Sequence, residues 1–212
     1  MDVLYLVRHG ETEWNRQRRM QGRLDSSLTA EGRAHARTNG ALLAREGVEH
    51  LVVSPLGRAR QTADLIRAEL AATIAYEDLL VERDSGAWEG LTIDQIEARF
   101  PAEWAERNRD PFHHRPPGGE NLPDMLVRIG PVADRLRELP VRSVAIVSHG
   151  ISGRVLLTHV LGLLPGVADK VRQPNDLVYR LEFAATGIRP AYFRGGAGPH
   201  PGLFTVAPEQ LG

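Results

Sequence analysis

Val3-Leu4-Tyr5-Leu6-Val7-Arg8-His9-Gly10 is a short apolar run rich in β-formers that stops abruptly at Arg-His-Gly. Five such residues without alternation predict a strand buried on both faces. The pattern recurs far downstream, where Ser143 to Ser148 runs into His149-Gly150. His50 to Ser54, stopped by Pro55, and Thr73 to Tyr76 read as two more strands. Helices are predicted between them. Thr29 can cap one running to about Arg45, with Ala34, Thr38, Ala41 and Leu42 on one face. Ala59, Ala63, Ile66 and Leu70 mark a second, and Ile151 to Leu161 a third. Strands alternating with helices predict an α/β fold: a three-layer α/β/α sandwich with a mostly parallel central sheet.

The remaining segments fit one domain over 1–212, with a small cap-like excursion around 92–121. Thr92-Ile93-Asp94-Gln95 has the form of a capping box, opening a helix that stops at Phe100-Pro101. Asn108 to Asn121 is rich in Pro, Gly and His and reads as irregular. Leu122, Met125, Leu126, Ile129, Ala133 and Leu136 mark a long amphipathic helix, and Pro131 inside it predicts a kink or break. Asp176 to Phe183 alternates like a half-buried strand. The tail from Gly195, with Gly or Pro every few residues, carries little information.

Composition narrows the function. Apolar residues make up 42% of the chain, charged residues 25%, and the formal net charge is -1. No basic excess points to nucleic acid or an anionic membrane, so an anion site must be a local cluster of Arg. The absence of Cys excludes disulfides, thiolate catalysis and thiolate-bound metal. The N-terminus lacks the form of a signal peptide, and no apolar run suits a membrane helix. A cytoplasmic protein is expected, without nucleic acid or membrane partners; a homodimer is compatible with this composition.

In parallel sheets, ligands sit beyond the carboxyl ends of the strands. That rule selects His9 and His149, each just past a strand and each followed by glycine, Gly10 and Gly150, where backbone can approach a ligand closely. A neutral imidazole is a competent nucleophile toward phosphorus. Attack there needs cationic, multidentate donors around the phosphoryl oxygens, and the Arg fork suits them. Arg8 adjoins the candidate nucleophile His9. Arg58, in Ser54-Pro55-Leu56-Gly57-Arg58-Ala59-Arg60-Gln61-Thr62, sits at a helix start, where free N–H groups also favour an anion. His149, if protonated, adds a further positive donor. The adjacent pair His113-His114 reads as loop, not metal site, because neighbours in sequence rarely converge on one ion and no third ligand is evident. Trp14, Trp88 and Trp104 are open between core and cavity mouth.

Four segments together resemble the histidine phosphatase superfamily, in its cofactor-dependent phosphoglycerate mutase-like branch. They are Leu6 to Asn15, Arg19 to Gly32, Ser54 to Ala63 and Val147 to Gly150. The resemblance spans about Val3 to Phe183 and implies a phosphoglycerate mutase-like fold. It implies that His9 is phosphorylated, that Arg8, Arg58 and His149 form the phosphate pocket with Gly150, and that Asn15, Gln21 and Gly22 contact phosphate or substrate. It further implies that Glu82, in Glu82-Arg83-Asp84-Ser85-Gly86-Ala87-Trp88-Glu89-Gly90, is the proton donor, with Asp84 the local rival. Pro117-Gly118-Gly119 before Glu120 matches a family segment expected as a turn near the pocket. The family implies no metal and no bound cofactor.

The expected reaction is hydrolysis of a small phosphomonoester through a phosphohistidine. The alternative is a 2,3-bisphosphoglycerate-dependent mutase. Mutases of the family carry a longer Arg-bearing insertion after the acid, whereas 36 residues (83 to 118) separate Glu82 from Gly119 here and Arg107-Asn108-Arg109 is the nearest cluster. A non-catalytic phospho-ligand binder on the same fold is the reading from another class.

Overall fold

The computed structural model describes residues 1–164 and 170–205. β1 (Val3–Arg8) lies inside a seven-stranded sheet and pairs in parallel with β4 (Ser143–Ser148). β2 (His50–Val53) and β3 (Thr73–Tyr76) extend the parallel half beyond β4. The alternation hidden in the apolar runs is now visible. Leu4, Leu6, Val144 and Ile146 enter one core, while Tyr5, Val7, Ala145 and Val147 enter the other. A helical pair covers each face. α6 (Leu122–Arg137) and α7 (Gly150–Leu161) close the first core. α2 (Ala30–Arg45) and α3 (Gly57–Arg67) close the second. This is the three-layer α/β/α arrangement.

The far half of the sheet is antiparallel. β5 (Leu177–Ala184) pairs against β1, β6 (Gly187–Arg194) against β5, and β7 (Ala197–Pro201) against β6. The tail from Gly195, uninformative as sequence, thus holds a strand. Its residues carry no alternation because β7 is an exposed edge with no core face to fill. β6 is likewise mostly outside the core, with Phe193 its one fully buried residue. Residues 206–212 lie outside the described part.

Two other expectations change. Of the four residues placed on the buried face of α2, only Leu42 is buried; Ala34, Thr38 and Ala41 are exposed. The inward face is Gly32, Ala36, Asn39, Gly40 and Leu43. Glycine faces inward because backbones meet there: a Cβ on Gly40 would lie 3.0 Å from Ile66 Cα. α6 also runs through Pro131 without a break. Pro131 is on the solvent side, as is Val127 one turn earlier, so water can reach the carbonyl that loses its intrahelical partner.

The capping box at Thr92 opens α4 (Ile93–Arg99), and Pro101 starts α5 (Pro101–Arg109) at a position where its missing N–H costs nothing. Two 3₁₀ turns, Asp78–Leu80 and Gly86–Trp88, flank the Glu82 segment, and α1 (Glu13–Arg16) follows β1. Trp88 is buried, edge-on to Trp104 and stacked on His114 at 5.2 Å.

The loop after β1 is pinned by backbone contact. A Cβ on Gly10 would lie 2.3 Å from the Gly32 carbonyl oxygen at the start of α2. Gly10 therefore makes room for a helix, not for a ligand as the sequence suggested. Gly10→Ala is expected to cost about 1–3 kcal/mol by overpacking, lowering Tm by roughly 2–12 °C in a thermal melt. An unchanged Tm would mean that α2 can retreat freely.

Candidate active site

Strand register brings the two histidines together. Arg8 lies opposite Ser148 in the β1–β4 pair, and the His9 N–H donates to the Ser148 carbonyl at 2.9 Å. Both side chains emerge just past the paired ends, with ring centroids 5.3 Å apart. His9 is 2% exposed. Its Nδ1 is 2.8 Å from the Gly10 carbonyl oxygen, which only accepts, so Nδ1 carries the proton. Nε2 is then the lone pair, and it accepts from Arg58 Nε at 3.3 Å. Burial, with Arg58 and Arg8 adding, pushes the His9 imidazolium well below its usual range near 6.5. His149 is fully buried, with Nε2 2.7 Å from Ser54 Oγ. Burial and then Arg58 push it down likewise. Both shifts favour the neutral imidazole, which weighs against a cationic donor at His149.

Two buried neutral imidazoles make stability depend on pH. Below about 6.5 the unfolded chain takes up protons that the fold refuses. Their contribution is present above that value and drains away as pH falls toward the depressed folded values. Melts at about pH 7.5 and about pH 5.5 are expected to show the lower Tm at acid pH. An equal or higher acid Tm would mean that the fold accepts charged rings.

Arg58 is 1% exposed and heavily engaged. Nη1 donates to Leu24 O and Asp25 Oδ1, and Nη2 to Gly22 O at 2.8 Å. Of its five N–H groups, one on Nη2 has no partner in this set. The N-terminus of α3 is also occupied: Gly57 and Arg58 N–H both donate to the Asp25 carboxylate, at 2.7 and 3.1 Å. The sequence reading had those N–H groups open to a phosphate. Asp25 takes that place, and its carboxylate fixes the helix end and the guanidinium together.

Thr62, one turn further along α3, accepts the Gly10 N–H at 3.0 Å. Arg8 Nη1 donates to Gln173 O, and its guanidinium lies over Gly150, where a Cβ would be 3.3 Å from Arg8 Cζ. Gly150 thus accommodates Arg8. Arg8 Nε and His149 Nδ1 are buried without a hydrogen-bond partner among the described residues.

Glu82 lines the same cavity as His9 and Arg8; Asp84 does not. The Glu82 carboxylate accepts backbone N–H bonds from Arg83 (2.8 Å), Ile151 (3.0 Å) and Ser152 (2.9 Å), so it caps α7 directly behind His149. Arg128 of α6 steadies the approach, donating to Leu79 O and Val81 O while forking onto Glu120. The turn at Pro117-Gly118-Gly119 packs on residues 84–87, with Ala87 N donating to Pro117 O and Glu120 N to Asp84 O.

Asn15, Gln21 and Gly22 all line the cavity. Asn15 Oδ1 is used by Thr12, which leaves its amide N–H groups as donors. Gly22 holds φ at +55°, and its carbonyl anchors Arg58. His113 pairs with Asp110, and neither His113 nor His114 lines this cavity; nor does any of the three tryptophans.

The cavity has a volume of about 690 Å³. Arg19, Arg154, Arg172, Arg194 and Phe204 also line it, and the sequence reading missed all five. For Arg172 and Arg194 the missing signal was strand direction. Because β5 runs antiparallel to β1, its entry lies beside the exit of β1, with Val178 opposite Val7 and Leu177 opposite Arg194. Residues before β5 and at the end of β6 therefore arrive at the site. Asn175 Nδ2 even donates to the His9 carbonyl at 2.6 Å.

The sequence pattern of the histidine phosphatase superfamily (branch 1) matches residues 4–193, which is most of the chain. The chain belongs to this superfamily. Among curated relatives, this histidine phosphatase is 34% identical over 181 residues to "Probable phosphoglycerate mutase GpmB" of Salmonella paratyphi B, covering 85% of this chain and 84% of that protein. Among solved structures it superposes on a mycobacterial glucosyl-3-phosphoglycerate phosphatase at TM-score 0.80 and 28% identity, covering 93% of this chain and 100% of that one. The α-ribazole phosphatase of Shigella flexneri matches at TM-score 0.81 and 24% identity, over 88% of this chain and 93% of that one, a likeness of fold alone. No described helix of this histidine phosphatase is long and apolar enough to cross a membrane.

Proposed function

We propose that the protein hydrolyses a small phosphomonoester by carrying the phosphoryl group on Nε2 of His9, without a metal. The observation behind this reading is the state of His9: neutral, its Nδ1–H fixed on Gly10, its Nε2 lone pair beside Arg58 in a cavity shared with Arg8 and Glu82. A bound phosphoryl group would draw the Arg58 Nε–H onto its own oxygen and free Nε2 to attack. Arg8 Nε and His149 Nδ1, buried and without a partner among the described residues, are the kind of groups that phosphoryl oxygens satisfy. The P–O bond breaks as the N–P bond forms, and Glu82 in its acid form gives a proton to the leaving alcohol. Water then attacks phosphorus as the N–P bond breaks, the Glu82 carboxylate takes a proton from that water, and phosphate and neutral His9 remain. Solved forms of the mycobacterial phosphatase that this fold resembles contain VO3 or inorganic phosphate.

Turnover of p-nitrophenyl phosphate is expected to be undiminished in EDTA, because two guanidinium groups and oriented neutral donors already meet the transferring group. Strict dependence on added Mg²⁺ or Zn²⁺ would overturn the proposal. The name of the curated relative supports a second reading, a phosphoglycerate mutase. Interconversion of phosphoglycerate isomers without phosphate release would favour it. Silence in both assays would favour a phospho-ligand binder.

A further inference from the structure

The two histidine rings of the site are held by opposite nitrogens. On His9 the backbone engages Nδ1 and leaves Nε2 as the lone pair. On His149 it is Nε2 that is engaged, 2.7 Å from Ser54 Oγ, while Nδ1 is buried without a partner among the described residues. The sheet delivers Ser54 to that place. Ser54 follows β2, Val53 lies opposite Val147 of β4, and the Ser54 N–H donates to the Val147 carbonyl at 3.0 Å, two residues before His149. Both side chains are fully buried. In a neutral imidazole one nitrogen donates and the other accepts, and the bond made by one fixes the role of the other. The Ser54 oxygen accepts the Leu56 N–H at 3.5 Å, and among the described residues its own proton meets no acceptor but Nε2. A proton on Nε2 would therefore strand the hydroxyl proton away from water, the more expensive way to leave a bond unmade. It would also leave Nδ1 an acceptor, of no use to an anion.

We infer that Ser54 is a positioning residue: it donates its hydroxyl proton to His149 Nε2 and so keeps the ring's own proton on Nδ1, where it meets the phosphoryl group. The tautomer stands on the hydrogen bonds alone, while its consequence for turnover rests on the proposed phosphatase reading. One tautomer then serves the two rings in different ways. His9 spends its Nδ1–H on Gly10 and attacks with Nε2. His149 spends its Nε2 on Ser54 and donates with Nδ1–H. The other tautomer of His149 would turn a lone pair toward the phosphoryl oxygens, so only molecules in the first form bind the group well. Ser54 makes and breaks no covalent bond and acts through His149.

The test is long-range ¹H–¹⁵N correlation spectroscopy of the full chain labelled at histidine, near neutral pH, with the His149 ring assigned by its loss in His149→Asn. His149 is expected to show a protonated nitrogen at Nδ1 and a lone-pair nitrogen at Nε2, and inorganic phosphate is expected to move the Nδ1 resonance. A lone pair at Nδ1, protons on both nitrogens, or an Nδ1 resonance indifferent to phosphate would overturn the proposal. Ser54→Ala is the second arm. It is expected to admit the Nε2–H form and to weaken phosphate binding and kcat/KM for p-nitrophenyl phosphate each by about tenfold, the scale of one hydrogen bond to a charged group. A merely structural role would lower Tm and leave the tautomer as it was. An Ala variant that keeps the wild-type tautomer, or changes it with no loss of phosphate affinity, would overturn the role of Ser54. A wild-type protein with the expected tautomer and no turnover of any ester, p-nitrophenyl phosphate included, would instead fall on the phosphatase reading.

Discussion

His9→Ala is expected to lose at least about 10⁴-fold in kcat on every phosphoester and to take up no label from ³²P-substrate. The magnitude follows from the site's construction. The Arg8 and Arg58 guanidinium groups can still bind a phosphoryl group, so KM should move far less than kcat. With the imidazole gone, water must attack the ester directly in a cavity built around Nε2. The fold should survive, because the ring's hydrogen bonds are its Nδ1–H on the Gly10 carbonyl next door and the Arg58 Nε–H it accepts, and Arg58 stays held by Leu24, Asp25 and Gly22. Its backbone N–H, donated to Ser148, remains. The wild-type label should be acid-labile and stable in base, as an N–P bond is. A variant that is labelled as fast as wild type would move the nucleophile elsewhere, with His149 the next ring in line.

Some of this site is legible in the sequence and some is not, for physical reasons. A parallel strand ends where its ligands bind, so β1 and β4 announced His9 and His149 by position alone. Arg8 followed by adjacency and Arg58 by its helix start. Glu82 needed family likeness: nothing in the segment 77–90 marks which acid turns inward. The deciding contact is with α7, some 70 residues away. Asp25 escaped because a lone Asp in a polar loop carries no periodic signal, though it is what clamps Arg58. The charge of His149 stayed open because a sequence shows neighbours along the chain, not the burial that disfavours the charged ring. Arg172 and Arg194 escaped because β6 and β7 lack an alternating core face. Without those strands, neither the direction of β5 nor the arrival of Arg172 and Arg194 at the sheet edge could be drawn.

Glu82→Gln is expected to separate substrates by the basicity of their leaving groups. An alkyl phosphate leaves as a basic alkoxide unless it receives a proton in the transition state, and losing the donor costs about 10²- to 10⁴-fold. The p-nitrophenolate ion leaves readily without one. Single-turnover phosphorylation of His9 should therefore fall by that span for alkyl phosphates and by much less for p-nitrophenyl phosphate. The second half-reaction should slow for both, because water loses its base, so labelled enzyme accumulates with p-nitrophenyl phosphate. The amide also loses one acceptor and turns N–H groups toward the backbone donors of Arg83, Ile151 and Ser152. That cost lowers Tm and weakens α7 capping, yet it acts on both substrates alike and cannot produce the split between them. Asp84→Asn provides the contrast. Asp84 accepts Gly86 N–H at 2.9 Å and lies outside the cavity lining, so its loss should be small and blind to the leaving group. Equal loss of both substrates in Glu82→Gln phosphorylation, with a leaving-group split in Asp84→Asn, would transfer the acid role to Asp84.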